Sequence, residues 1–210
     1  MTAANSDQIA RLFDRMAGRY DRQIGFVERM VFPRSRRWAV ARARGHVVEI
    51  AVGTGLNLPF YTEVVDSVIG VDISEGMLAR ARTRAEQLGL REVRLLRGDV
   101  QALTLPDASA DTVVSTMSFC TIPDPYAAAR EAWRVLRPGG RFVLAEHGPA
   151  GHRAGRALMR ALEPISVRAG ADHLMRDPQP YVTAAGFGLD EVERDGWGGI
   201  AYHVLASKPR

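Results

Sequence analysis

Glu49-Ile50-Ala51-Val52-Gly53-Thr54-Gly55 decides how this chain is read. The run Val47 to Ala51 that leads into it is short and apolar, as a buried strand is. Gly53 and Gly55 then let the backbone turn and pass close to a ligand before a helix starts, because neither has a side chain in the way. A second apolar run, Ser67 to Val71, ends in Asp72. A carboxylate at that strand end is placed to accept hydrogen bonds from both hydroxyls of a ribose. A lone GxG carries little information; with an acid closing the next strand it marks a nucleoside-binding sheet. The dinucleotide fingerprint needs a third glycine where this chain has Leu58, and no G-x-x-x-x-G-K-[ST] loop occurs. Dinucleotide and P-loop enzymes are thereby demoted.

Outward from this turn, short apolar runs alternate with helical stretches. Ser74 is set to cap a helix over Glu75 to Leu88 that stops at Gly89. Val93 to Leu96 reads as a third strand before Gly98-Asp99, and Asp111 to Thr116 as a fourth. Pro125 opens a helix through Leu136, which ends at Pro138-Gly139-Gly140, and Arg141 to Glu146 is a fifth strand. Strands separated by helices imply βαβ units and a parallel sheet covered on both faces. After a helical stretch beyond His152, Phe187 to Glu193 and Ile200 to Ser207 are joined by Asp195-Gly196-Trp197-Gly198-Gly199. That link is short enough for an antiparallel pair at the sheet edge.

The 210 residues suit one domain with a full core, divided here into an N-terminal helical segment, 1–45, and a ligand-binding domain, 46–210. No apolar run approaches the roughly 18 to 20 residues that span a bilayer. Met1 to Arg22 lacks the apolar core of a secretory signal, and the single cysteine, Cys120, allows no internal disulfide, so a reducing, cytoplasmic setting is expected. Of the formal net charge of +4, the first 45 residues hold more than the whole: ten arginines against four acids. Asn5, Ser6 and Asp7 are candidate N-caps for a helix bearing Ile9, Leu12, Phe13, Met16 and Tyr20 at helical spacing, with a break expected near Gly18 or Gly25. A second amphipathic stretch runs from about Phe26 to Ala43, interrupted by Pro33. A basic segment of this kind suits nucleic acid, an anionic membrane or an acidic ligand, or is a solvated helical face.

In chain order, Glu49-x-Ala51-x-Gly53-Thr54-Gly55, Asp72, Gly98-Asp99-Val100, Asp111-Thr112-Val113-Val114 and Leu136-Arg137-Pro138-Gly139-Gly140 resemble the class I S-adenosylmethionine-dependent methyltransferases over residues 47 to 147. The resemblance implies an α/β, Rossmann-like fold: a mostly parallel seven-stranded sheet, helices on both faces and an antiparallel C-terminal strand. The implied cofactor is S-adenosyl-L-methionine, leaving as S-adenosyl-L-homocysteine, with no metal. By the same resemblance Asp72 holds the ribose, Gly98, Asp99 and Val100 flank the adenine, and Glu49 with the glycine turn lines the methionine end. Asn57, Ile73 and Met77 are further implied cofactor contacts. The family pattern has glycine where this chain has Ala51, a costly departure if that position needs a positive φ.

Phe13-Asp14 with Tyr20-Asp21 is similar to the FD-x-x-A-x-x-YD segment of quinone-type and phospholipid methyltransferases. Phe119-Cys120-Thr121-Ile122-Pro123-Asp124-Pro125 followed by Ala145-Glu146-His147-Gly148 resembles small bacterial phosphatidylethanolamine N-methyltransferases and their thiol-methylating relatives. The implied partners are a phospholipid substrate and an anionic membrane surface met by the N-terminal helix on the inner face of the cell membrane. No nucleic-acid motif and no obligate protein partner is evident. The alternative is a soluble enzyme methylating a thiol, phenol or quinone.

Each implied role has a plain structural counterpart. Glu146 binds the substrate ammonium and relays its proton, or is an arginine-paired carboxylate. His147 is a base or a lipid-phosphate ligand, or a hydrogen-bonded loop histidine. Tyr20 closes over the cofactor and offers a ring face to a cation, or is one more apolar helix contact. Met117, Ser118 and Phe119 flank the point of methyl presentation, or are packing residues. Arg168, His173 and Arg176 cover the acceptor pocket and grip a lipid phosphate, or are merely solvated. Cys120 reads as a small buried residue.

Overall fold

The computed structural model describes residues 5–61 and 65–210, leaving aside the Phe26 side chain; the first four residues of the N-terminal segment lie outside it. Helix α1 (Ser6–Met16) begins at Asn5, whose side chain accepts the Gln8 N–H at 2.9 Å while the Gln8 side chain accepts the Asn5 N–H at 3.0 Å. This reciprocal pair satisfies two amides that a helix start leaves unpaired. The break falls at Gly18, and α2 (Tyr20–Val31) runs on through Gly25. Tyr20 therefore opens the second helix instead of closing the first, and that helix starts six residues before Phe26. Asp21 in its first turn suits the positive end of the helix dipole. Past Pro33, α3 (Ser35–Val40) leads into the sheet.

The seven strands are β1 (Gly45–Ile50), β2 (Val65–Asp72), β3 (Val93–Arg97), β4 (Ala110–Thr116), β5 (Leu136–His147), β6 (Gly188–Asp195) and β7 (Ala201–Ser207). Their spatial order is β3-β2-β1-β4-β5-β7-β6. The first five run parallel, and β7 lies antiparallel between β5 and β6. The intervening helices are α4 (Glu75–Gln87), α5 (Pro125–Val135), α6 (Arg153–Gly170) and α7 (Gln179–Ala184). Ser74 caps α4, accepting the Met77 N–H at 3.1 Å, and Asp124 caps α5, with Pro125 at its first position.

Because side chains alternate across a strand, β1 feeds two cores. Val48 and Ile50 join Val113, Phe142, Leu144 and the alanines of α5 on one face. Val47 joins Val114, Val143 and Ala39 of α3 on the other. The outer strand β6 is exposed along most of its length and carries Glu191, which binds Arg42 at 2.7 Å, and Glu193, which accepts from Trp38 at 3.1 Å. Charged side chains there discourage a further strand from pairing. Among the described residues no helix is long and apolar enough to cross a membrane.

Candidate active site

The chain steps outward from β1 to β2 and β3, then returns to place β4 on the other side of β1. The strand order reverses between β1 and β4, and in such sheets the crevice beyond the carboxyl ends at this point is where ligands bind. A cleft lies there, lined by residues from the ends of β1, β2 and β4 and from the N-terminal helices.

On the β1–β2 side, Ala51, Gly53, Thr54, Asp72, Ile73 and Met77 face the cleft. Asp72 is only 7% exposed, and burial pushes its pKa up to about 6 against the backbone N–H groups that pull it down. One carboxylate oxygen accepts the Gly53 N–H and the other the Ser74 N–H, each at 2.8 Å. Each oxygen retains a lone pair, so two adjacent hydroxyls would complete the site. Ala51 has φ +52° and Gly53 φ +57°. The backbone does require the left-handed region at Ala51, and the alanine carries that steric cost. Gly55 serves packing instead of ligand approach: a Cβ there would sit 2.7 Å from Leu58 Cδ1. Gly98 likewise backs onto Val71, while Asp99 and Val100 face the cleft.

The N-terminal helices form the opposite wall. Ile9, Phe13 and Tyr20 project into the cleft, the two rings meeting edge to face with centroids 6.3 Å apart. Burial holds the Tyr20 phenol well above its usual pKa, so it stays protonated. Asp14 accepts from Ser74 Oγ at 2.6 Å and from the Gly76 N–H at 2.9 Å, bonds that hold its pKa low. Asp21 accepts from Thr54 Oγ1 at 2.5 Å and from Arg84 at 2.7 Å. In Phe13-Asp14 and Tyr20-Asp21 the rings thus line the cavity and the carboxylates latch the cap to the rest of the fold. Ser6 adds a third tie, donating to Asp99 at 2.5 Å. The apolar face of α1 is turned inward, with Ile9 6% and Ala10 7% exposed.

Several expected site residues lie elsewhere. Glu49 sits beneath the cleft, 2% exposed, accepting from Tyr61 at 2.7 Å and Asn57 at 3.0 Å, and burial pushes its pKa up to about 7. Asn57 is wholly buried and binds Glu49, Thr116 and Arg36 together. Glu146 is 1% exposed and braces the loop after β4: it accepts from Ser115 Oγ at 2.6 Å, the Ser118 N–H at 2.7 Å and the Phe119 N–H at 3.1 Å. Its oxygens are spent inside the protein, neither on an arginine nor on an ammonium group in the cleft. Phe119 packs between Phe142 and Tyr181 in the core. Ser118 and Met117 do line the cleft, and Met117 has φ +52°. Non-glycine residues are thus held in the left-handed region at the ends of both β1 and β4, where strain often marks functional backbone.

His147 Nε2 lies 2.8 Å from Asp172 Oδ1, outside the cleft wall. Burial lowers its pKa, but the bond to Asp172 and that carboxylate's charge outweigh burial and leave it raised. Asp172 also bonds the buried Cys120 thiol, and the ligand-type atoms of Cys120, His147 and Asp172 lie within 4.8 Å of one another. Arg168, His173 and Arg176 do not form one phosphate grip. Arg168 is exposed on α6, His173 pairs with Glu163 at 3.3 Å, and Arg176 donates to the carbonyls of Phe119 and Ile122 at 2.8 and 2.5 Å. Arg36 was not singled out by the sequence, being one of ten similar charges. It is drawn into the cleft wall by its ion pair with Glu28 and donates to Asn57 and Thr116, both at 3.1 Å. Gln101 and Thr116 also line the cleft and carried no sequence signal, and Thr121 enters the wall from the Phe119–Pro125 run.

The comparisons agree with this geometry. Residues 48–144 match the methyltransferase domain family. A phosphatidylethanolamine N-methyltransferase of Cereibacter sphaeroides is 42% identical over 143 residues, covering 67% of this chain and 68% of that protein. A demethylmenaquinone methyltransferase of Renibacterium salmoninarum is 30% identical over 191 residues, covering 85% of this chain and 75% of its own length. The fold matches that of a methyltransferase from Thermotoga maritima with TM-score 0.72 at 24% identity, over 94% of this chain and 99% of the other. The chain belongs to the class I S-adenosylmethionine-dependent methyltransferases.

The residues present fit the cofactor: a buried carboxylate with two free lone pairs stands beside Gly53, where the backbone carries no side chain at the cleft. Asp72 would hold the ribose hydroxyls, and Asp99 with Val100 and Ile73 would bound the base. When bound, S-adenosylmethionine supplies an electrophilic sulfonium methyl group. Phe13 and Tyr20 bound this space on the side of the N-terminal helices, where they would help position the reacting groups for displacement.

Proposed function

We propose that the protein N-methylates phosphatidylethanolamine, toward phosphatidylcholine, while held peripherally on the cytoplasmic face of an anionic membrane. The observation that carries this reading is the pair of aromatic rings, Phe13 and Tyr20, facing the cleft beside hydroxyl groups of Thr116, Ser118 and Thr121. A ring face attracts a methylated ammonium through its quadrupole, and hydroxyls orient an amine without trapping it as a tight ion pair. The likeness to the Cereibacter sphaeroides enzyme, which is named for this reaction, supports it. The raised pKa of Tyr20 suits a phenol that donates a hydrogen bond and keeps its proton.

A second reading, methylation of a quinone ring, is favoured by the apolar cleft residues Ile9, Leu56 and Ile122 and by the likeness to demethylmenaquinone methyltransferases. Incubation with methyl-labelled cofactor and either phosphatidylethanolamine vesicles or a demethylated isoprenoid quinone, followed by chromatography, separates the two. Label in mono-, di- or trimethylated lipid is the expected result. Label in the quinone alone refutes the lipid reading.

A further inference from the structure

α6 is 18 residues long and buries none of them. Leu158, Ile165 and Leu162 stand 56%, 64% and 44% exposed. Spaced at i, i+4 and i+7, they form one stripe along the helix. Arg168 lies on the adjoining exposed surface, and Arg153 and Arg160, five and two residues from Leu158, lie on the far flank of the same exposed face. The other two charged residues of the helix are turned back into the protein. Glu163 accepts the Met175 N–H at 3.0 Å, and Arg156 donates to the carbonyls of Ala150 and Gly151 at 3.0 and 2.9 Å. The outward charge of α6 is therefore purely positive.

The start of α6 lies near two other segments with exposed apolar residues. The Gly151 N–H donates to the Gly198 carbonyl at 2.8 Å, tying the start of α6 to the turn between β6 and β7. That turn presents Trp197, 73% exposed. Gly196, in the same turn, lies so close to the Val31 carbonyl that no Cβ would fit. The end of α2 is thereby brought alongside, with Met30 67% exposed.

We infer that the outer face of α6, continued by Trp197 and Met30, is the surface that docks onto anionic lipid. An outer face with large apolar tips along one flank and arginines along its middle and far flank can meet a headgroup layer in two ways: the tips enter the acyl boundary, and the guanidinium groups reach lipid phosphates. Tryptophan at a rim suits the same boundary, its ring apolar and its N–H wet. A two-fold contact with a second copy would instead set Arg153, Arg160 and Arg168 against themselves. The surface is also coupled to the cleft. Beyond α6, the His173 N–H donates to the Cys120 carbonyl at 3.1 Å, and Arg176 holds the carbonyls of Phe119 and Ile122. The segment leaving the docking helix thus braces the loop that carries Ile122 and Thr121 into the cleft wall.

This inference relocates the membrane contact from α1 to α6, and it rests on the reading of the acceptor as a membrane lipid. The test uses the full chain and vesicles of equal phosphatidylglycerol and phosphatidylcholine. Two double variants are compared with wild type: Arg153→Glu with Arg160→Glu, and Leu158→Asp with Ile165→Asp. Cofactor affinity and melting temperature report folding in each. The arginine variant is expected to sediment with vesicles about 30-fold or more weakly, at roughly 1 kcal/mol for each of two basic residues near such a surface, and the apolar variant is expected to lose affinity through its buried apolar area. Both should retain the wild-type rate on a water-soluble, short-chain phosphatidylethanolamine. Trp197 emission should shift to the blue with vesicles, and Trp197→Phe should abolish the shift.

Unchanged vesicle affinity in both folded variants overturns the docking surface and leaves lipid methylation standing. Vesicle binding lost in the variants, with neither lipid form methylated by wild type, supports the surface and refutes the substrate. A change of oligomeric state in the variants with vesicle affinity unchanged assigns the face to a second copy and overturns the inference.

Discussion

α1 and α6 are both amphipathic and both carry arginines: α1 has two against two acids, α6 four against one. Their fates are opposite. α1 turns Ile9 and Phe13 into the cleft, whereas α6 leaves Leu158, Leu162 and Ile165 in solvent. The difference lies in small polar groups that no hydrophobic pattern weighs. Ser6, Asp14 and, at the start of α2, Asp21 each find a specific donor or acceptor on Asp99, the start of α4, and Thr54 with Arg84. α6 has no such outward-facing acids, and its Glu163 faces back toward its own C-terminal segment. An amphipathic helix is thus a statement that an apolar face will be covered; the polar residues around it decide by what.

The largest effect should come from placing the same charge on each stripe. Ile9→Asp buries an unpaired carboxylate and is expected to cost about 3 kcal/mol, lowering the melting temperature by roughly 6 to 12 °C. Leu158→Asp should stay within about 0.5 kcal/mol of wild type, as an exposed substitution does. Equal losses in thermal unfolding would erase the contrast between the helices.

Asp72→Ala should weaken cofactor binding by about 150-fold or more through the loss of two hydrogen bonds to a charged acceptor at roughly 1.5 kcal/mol or more each, measured by titration calorimetry. Because burial raises the Asp72 pKa to about 6, the empty site is partly protonated in mild acid. The ionised form accepts both hydroxyls, so wild-type affinity should rise with pH through about 6 and fall below it. Asp72→Asn should bind weakly with that dependence flattened. A pH-independent wild type would dissociate Asp72 from the ribose.

The smallest change lies at the turn whose Thr54 receives the Asp21 latch. Ala51→Gly removes the left-handed cost of a Cβ, about 1 to 2 kcal/mol, but gives back part of it through a freer unfolded chain. A rise of about 1 to 3 °C in melting temperature is expected, with cofactor affinity unchanged. A fall would mean that the alanine methyl contributes packing that offsets its strain.

Much of the cofactor side could be read in the sequence, because backbone turns and strand ends depend on local residue types. Gly53, Asp72 and Asp99 stand where the glycine turn and the two acids placed them. The acceptor side was read less well. Glu146 and His147 occupy the expected strand end, but the direction in which a side chain leaves a strand depends on its neighbours. Ser115, Ser118 and Asp172 claimed them. Arg36 could not be told from nine other arginines until Glu28, Asn57 and Thr116 gathered around it.

The sequence by itself determined the order of strands and helices, the switch point at the glycine turn and the class of cofactor. The first two follow from hydrophobic period and from residues that only certain backbone shapes accept, and the cofactor class from the family that the motifs resemble. Tertiary structure alone decided that the N-terminal helices would roof the cleft, and that α6 would be the one to remain uncovered. Those outcomes depend on carboxylates and hydroxyls meeting across dozens of residues, at distances that no linear spacing encodes.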